Sequence, residues 1–187
     1  MMRIFLIILI FVSCGTESSS DKKDGILDGE HRIFVSSQTY TGNIGGLEGA
    51  DEKCTELARA AKLKRNYRAI LSTSSEEAKT RLNLQGTVYL FGSSGVLTVV
   101  ELGTNLWSGE LLHEINFNEN QESITANVWT GTDSDGGTFF DDHCQDWTSD
   151  SGSETGSFGE STSLTDNALE SDVSECDQNL AIYCISE

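Results

Sequence analysis

The cysteines are the feature that most constrains how this chain can fold. There are five of them, at positions 14, 54, 144, 176 and 184. If the chain is exported, an odd number indicates that one cysteine has a role other than an intramolecular disulfide. If that one is Cys14, the other four can form two disulfides, in any of three pairings. Structural zinc is the alternative, but the chain has no C-x-x-C spacing and its three histidines are scattered. We therefore expect two disulfides and no metal.

Residues 1–13 have the pattern of an export signal. Arg3 gives a positive start, and residues 4–12 are an apolar run that is too short to span a membrane as a stable helix. The small residue and Cys14 that follow resemble a bacterial lipobox, with Phe11 where leucine is usual. The resemblance implies an exported lipoprotein whose first mature residue, Cys14, carries the lipid. An ordinary secretory signal cut near Cys14 is the alternative.

Composition divides the remaining chain into a tether and one domain. Residues 15–29 are small and polar, with too little apolar area to fold, so we predict that residues 14–31 are a lipidated cysteine and a flexible tether. Residues 32–187 have the length of one domain with a single core. After Arg81 there is no lysine or arginine, but 19 of the 30 acidic residues occur there. We therefore expect no nucleic-acid partner and membrane contact through the lipid alone.

The first half of the domain contains both strand and helix patterns. Apolar residues at helical spacing predict a helix from about Gly49 to Lys62, with Cys54 on its buried face. Ser74 and Glu77 have the spacing of a capping box, which predicts a short second helix over residues 75–83. β-Branched and aromatic runs predict strands at 32–37 and 67–72 and a hairpin at 88–91 and 97–100. Residues 106–115 are ambiguous between strand and helix.

The stretch from Val128 to Trp147 predicts the centre of the second half. Its apolar start breaks at an acidic Asp/Gly turn and resumes before Cys144. We interpret it as two strands joined by an acidic loop, with Trp129 in the core and Cys144 on the second strand. Residues 148–165 are rich in Ser, Gly and Thr, so we predict a long loop tied at both ends by Cys144 and Cys176. Residues 179–185 predict the final strand.

This order of features resembles the C-type lectin-like fold, including its endostatin-type branch. Over residues 32–187 the chain is similar to the leptospiral endostatin-like lipoproteins. The motifs that carry the similarity are Ile33-Phe34-Val35, Tyr40-Thr41-Gly42-Asn43, Gly49-Ala50-Asp51-Glu52-Lys53-Cys54, Trp129-Thr130-Gly131-Thr132, Cys144-Gln145-Asp146-Trp147 and Tyr183-Cys184. The resemblance implies an α+β domain with mixed or antiparallel sheets, two helices, long loops and the disulfides Cys54–Cys184 and Cys144–Cys176.

The resemblance also implies a function. Members of that family bind complement factor H, plasminogen and extracellular-matrix proteins, so we expect this protein to be an adhesin. We expect its lipid, which includes palmitate, to anchor it at the bacterial outer membrane, where it is exposed on the cell surface. A lectin-like lipoprotein that binds envelope glycans is the alternative. The proline-containing sugar motifs of calcium-dependent lectins are excluded, because the chain has no proline. A hydrolytic envelope lipoprotein is a third hypothesis.

Two charged clusters are candidate sites. Five bases lie within ten residues and could bind an acidic host surface or a sulfated glycan: Arg59, Lys62, Lys64, Arg65 and Arg68. The alternative is the solvated end of a helix, where cations are favourable. Asp133, Asp135, Asp141 and Asp142 could bind calcium, but the EF-hand spacing is incomplete, so we favour simple turn chemistry. No catalytic signature is found, and we expect no enzyme activity and no cofactor.

Overall fold

The computed structural model describes residues 29–187. The predicted signal peptide at 1–13, the lipidation at Cys14 and all but the end of the predicted tether lie outside the described residues. The elements, in chain order, are β1 (His31–Val35), α1 (Gly46–Ala60), β2 (Tyr67–Ala69), α2 (Ala78–Leu82), β3 (Val88–Gly92), β4 (Gly95–Val100), a 3-10 turn (Gly103–Trp107), β5 (Asn127–Trp129), α3 (Cys144–Trp147), β6 (Thr155–Glu160), a 3-10 turn (Asp166–Ala168), β7 (Asp172–Glu175) and β8 (Ala181–Ser186).

The described strands form one mixed sheet of eight, in the order β4-β3-β1-β8-β5-β6-β7, with β2 also paired to β8. β8 runs antiparallel to β1 and β2 and parallel to β5. β1 pairs with β3 in parallel. The domain is therefore α+β, as predicted, and the last strand of the chain lies at the centre of the sheet.

The core has two layers, one on each face of the sheet. Along β1, Ile33 and Val35 face one layer and Phe34 faces the other, and β8 alternates in the same way. This two-residue period is what a strand buried on both faces requires. On the second face α1 contributes Cys54, which is fully buried as the helical spacing predicts. The sheet therefore separates a layer that contains α1, Trp129 and Trp147 from a mainly aliphatic layer that also includes Trp107 and Tyr183.

Two disulfides cross-link this frame. Cys54 in α1 is bonded to Cys184 in β8, and Cys144 is bonded to Cys176 just after β7. These are the two pairs that the resemblance implies. The first joins the main helix to the central strand, and the second holds α3 against the β6–β7 edge of the sheet.

The predicted capping box is wrong. α2 is shorter than the sequence suggests, and the Ser74 hydroxyl donates to the Asp146 carboxylate at 2.9 Å instead of capping Glu77. The Ser72 hydroxyl accepts the Ala78 amide hydrogen at 2.9 Å. The hydrogen-bond partner of the Ser74 hydroxyl is thus 72 residues away in the sequence. Residue spacing within a short motif cannot reveal such a partner.

The predicted strand at Cys144 is also wrong. Cys144 begins α3, a single turn in which all four residues have positive φ values, from 50° to 64°. Left-handed backbone is costly for non-glycine residues and normally occurs one residue at a time. Here the turn is held by the disulfide, by the buried Trp147 indole donating to the Ser72 carbonyl at 2.7 Å, and by Asp146 accepting the Ser74 amide hydrogen at 2.7 Å.

The long loop predicted at 148–165 instead contains β6, which pairs with β5. A side chain at Gly156 would lie 2.7 Å from the Cys144 sulfur and 3.1 Å from the Trp129 ring. The absence of a side chain at Gly156 therefore allows this strand to pack against the Trp129 ring and the Cys144 sulfur. The small residues of the segment resemble loop composition for this reason. β7 was likewise not predicted, whereas the β3–β4 hairpin is confirmed.

Candidate functional site

The predicted basic cluster is divided by the fold. Arg68 forms an ion pair with Asp51 at 3.1 Å and donates to the Arg81 carbonyl at 3.0 Å, and Arg65 donates to the Glu30 carbonyl at 2.6 Å. These two arginines link β2 and the turn before it to Glu30, Asp51 and Glu187. The other three, Arg59, Lys62 and Lys64, lie exposed on the end of α1 and the turn after it.

A surface groove of about 330 Å³ lies beside this cluster, between α1 and β2. It contains two of the predicted bases, Arg59 and Arg68. Its acidic lining residues are Asp51, Glu52, Glu56 and Glu187. Four carboxylates therefore offset two guanidinium groups, so the groove is a poorer site for a polyanion than the linear sequence suggests. Binding of host ligands through these bases stays a prediction.

An ionic network reaches from the groove wall to the buried Arg81 side chain, and sequence reasoning missed it. Asp51 accepts from Arg81 at 2.9 Å, from Arg68 at 3.1 Å and from the Ala69 amide at 2.8 Å. Burial lowers the pKa of Arg81, and the Asp51 charge acts in the opposite direction. Asp51 therefore compensates a guanidinium that has lost most of its water. The residues lie on separate elements, so no sequence pattern could bring them together.

The acidic stretch after Trp129 forms a hydrogen-bonded turn. Asp133 Oδ1 accepts the Gly137 amide hydrogen at 2.8 Å and the Asp135 amide hydrogen at 3.2 Å. Asp142 is engaged elsewhere, by the Thr155 hydroxyl. Within residues 29–187, no group of three or more His, Cys, Asp or Glu side chains is arranged to hold a metal ion. Asp133 and Asp135 act as the turn acceptors that the Asp/Gly composition predicts.

The pKa values of the two carboxyl groups in this turn are shifted in opposite directions. Burial, followed by the hydrogen bond with Asp135, raises the pKa of Asp133, and the same hydrogen bond lowers the pKa of Asp135. A raised pKa means that ionising Asp133 destabilises the folded state relative to the unfolded state. That destabilisation is absent below the ordinary aspartate pKa and complete once the pH exceeds the raised value.

Replacing Asp133 with Asn should therefore raise the melting temperature at neutral pH, by about 2 °C. The amide oxygen can still accept from the backbone, and the amide NH₂ can still donate to Asp135. Melting followed by circular dichroism should show the gain shrinking as the pH falls through the acidic range. Asp141→Asn, at a neighbouring exposed position, is the matched control for the removal of one negative charge, and its melting temperature at neutral pH should rise less than that of the Asp133 variant. A loss of stability at neutral pH in the Asp133 variant would contradict this prediction.

A second groove, of about 470 Å³, lies beside this turn. Phe139 and Phe140 line it, with their rings 5.0 Å apart and edge to face, and Glu170 lies opposite. Phe140 is 80% exposed. Glu170 accepts the Ser134 amide hydrogen at 2.8 Å, which holds the turn to the segment before β7. The groove therefore combines an exposed aromatic ring with carboxylates.

A third surface is formed by two adjoining grooves of about 450 and 260 Å³ at the β4 edge of the sheet. Both grooves share Leu112 and Leu164. The Leu111 amide donates to the Leu164 carbonyl at 2.9 Å, and the Leu112 amide donates to the Val99 carbonyl of β4 at 2.9 Å. These bonds fix two exposed leucines, 58% and 44% accessible, on one continuous surface. We call this surface the leucine face; no motif or periodicity in the sequence predicts it.

No protein-family model matches this chain, and no curated protein matches it. Within residues 29–187, no helix has the length and apolar character needed to cross a membrane. The chemistry of the described side chains is therefore the basis for a functional proposal.

Proposed function

We propose that this protein is a non-catalytic binding module, held at the bacterial outer membrane by lipid on Cys14 and displayed to host proteins. Complement factor H, plasminogen and extracellular-matrix proteins are the ligands we propose, and a C-type lectin-like, endostatin-like identity is our interpretation of the α+β fold. The observation that carries the proposal is the exposure of large apolar side chains on a rigid, doubly cross-linked surface.

Exposed apolar residues are informative when they are contiguous, because single ones are normal on any protein. The leucine face meets this condition, since its two leucines line the same pair of grooves. Their main chains are hydrogen bonded to neighbouring segments. Such a surface is already ordered before it meets a partner, which reduces the entropy lost on binding.

The test uses the processed chain, residues 14–187, with Cys14→Ser so that no lipid is attached. Purified complement factor H, plasminogen and extracellular-matrix proteins are passed over it in a biosensor. We expect saturable binding of at least one, with a Kd of about 1 µM or tighter. Protein that has been reduced and alkylated is the control and should not bind. Absence of binding to all of these ligands would reject the host-binding proposal.

The same assay tests the basic residues. Arg59, Lys62 and Lys64 are changed together to Ala, because Arg65 and Arg68 also support the fold. Weaker binding with an unchanged melting temperature would assign the ligand contact to these bases. Unchanged isotherms would exclude them, leaving the binding proposal intact.

A second candidate function is the binding of envelope glycans, which the groove beside Phe140 favours. An exposed aromatic ring can cover the apolar face of a sugar, and neighbouring carboxylates can accept hydrogen bonds from its hydroxyl groups. A glycan array probed with the same chain tests this function. Retained signal in a Phe140→Ala variant would exclude the groove as the sugar site.

A further inference from the structure

We infer that the leucine face binds a basic amphipathic segment of a partner protein, one that presents apolar side chains flanked by lysine or arginine. This inference rests on the proposed binding function and assigns it a surface and a partner chemistry. Leu112 and Leu164 provide the apolar centre. Leu97 and Phe117, both half-buried, extend it on the side of the smaller groove.

The side chains that line the leucine face include several carboxylates and one imidazole, that of His113 in the smaller groove. Glu101 and Glu110 line the larger groove and Glu114 lines the smaller one. No lysine or arginine lines either groove, and none exists in the sequence after Arg81, where all of these lining residues lie. An apolar centre with an acidic rim is complementary to a partner with an apolar centre and a basic rim.

The charge pattern also argues against other occupants. A second copy of the chain would place the same glutamates against one another, which costs energy through like-charge repulsion. Anionic lipid would be repelled for the same reason. Residues 21–28 of the predicted tether contain two lysines but three aspartates, so this segment of the chain lacks the required positive charge.

The geometry favours an added segment rather than a small molecule. The two grooves are open at the surface and meet at the shared leucines, so together they extend along the segment that covers the β4 edge. Amphipathic partners typically use several apolar anchors in such a groove, and the charges around it fix their orientation. An acidic partner with the same apolar residues should be rejected.

The test measures fluorescence anisotropy of two labelled peptides, one an amphipathic sequence of Leu and Lys and the other its Leu and Glu counterpart. The protein is the processed chain with Cys14→Ser. We expect the Leu/Lys peptide to bind, and the Leu/Glu peptide to bind at least about tenfold more weakly. The variant Leu112→Asn/Leu164→Asn should lose at least about tenfold in affinity for the Leu/Lys peptide.

A matched control lies at the opposite edge of the sheet. Val173 in β7 is 40% exposed and lines neither groove, so Val173→Asn should bind the peptide as the unchanged protein does. Glu101→Gln/Glu110→Gln should weaken binding and reduce its dependence on salt. Because all of these side chains are at the surface, the variants should fold, and their melting temperatures verify this.

Three results would overturn the inference: no binding of the Leu/Lys peptide, equal binding of both peptides, or full binding by the double leucine variant. Host-ligand binding by that variant separates the two proposals. If the unchanged chain and the leucine variant bind a host protein equally, the leucine face is excluded while the host-binding function stands. If neither binds any host protein but the peptide result holds, the host-ligand proposal fails while the peptide-binding surface remains.

Discussion

Changing Cys54 and Cys184 together to Ala should lower the free energy of unfolding by about 5 kcal/mol. Without the bond, the unfolded chain regains the entropy that is lost on closing a loop of 130 residues, and this gain stabilises the unfolded state. Total stabilities of single domains are about 5–15 kcal/mol, so this change would remove about a third or more of the stability of the domain. Urea denaturation followed by far-ultraviolet circular dichroism measures the change.

The second disulfide provides the comparison. Cys144 and Cys176 are equally buried but only 32 residues apart, so their joint replacement should cost less, about 4 kcal/mol on the same basis. Loss of less than about 2 kcal/mol on removing the first bond would show that packing alone holds α1 to the sheet. A larger loss of stability for the Cys144–Cys176 pair than for the Cys54–Cys184 pair would show that loss of the left-handed turn in α3 has a greater effect on stability than the difference in loop length.

Asp51→Ala should also destabilise the fold strongly, by about 3–5 kcal/mol, because it leaves Arg81 buried without its counter-ion. The Arg81 side chain is only 1% exposed, and its remaining hydrogen bonds include one to the Ala69 carbonyl. Chemical denaturation again gives the change. Glu52→Ala, at an exposed neighbour lining the same groove, is the control and should have almost no effect.

A double variant distinguishes a lost charge partner from general damage. Asp51→Ala/Arg81→Met removes the charge that Asp51 compensates, so it should recover part of the stability lost in the single variant. If the double variant is no more stable than Asp51→Ala, the uncompensated charge is not the cause. A loss below about 1 kcal/mol for Asp51→Ala would mean that water reaches Arg81 readily.

The sequence predicted best those elements whose signal is local. The helical spacing around Cys54 identified the buried face of α1, and β-branched and aromatic runs identified β1, the β3–β4 hairpin and β8. Both disulfide pairs follow the resemblance. The turn chemistry of Asp133 was predictable because it depends on residues within a few positions of one another.

The elements that were missed depend on contacts between distant residues. β6 contains Gly156 where it packs against Trp129, and the Ser/Gly/Thr-rich composition around it resembles a loop. The Ser74 hydroxyl bonds to Asp146 instead of capping α2. The leucine face brings together Leu112 and Leu164 through one backbone hydrogen bond. None of these pairings leaves a periodic trace in the sequence.

The central position of β8 makes the two halves of the sheet depend on one strand. Within residues 29–187, β8 is the link between the half of the sheet that contains β1 and the half that contains β5. The strand at Ala181–Ser186 therefore unites strands formed by residues 31–100 with strands formed by residues 127–175. A product truncated before Ala181 would expose two unsatisfied strand edges and should be degraded or aggregate.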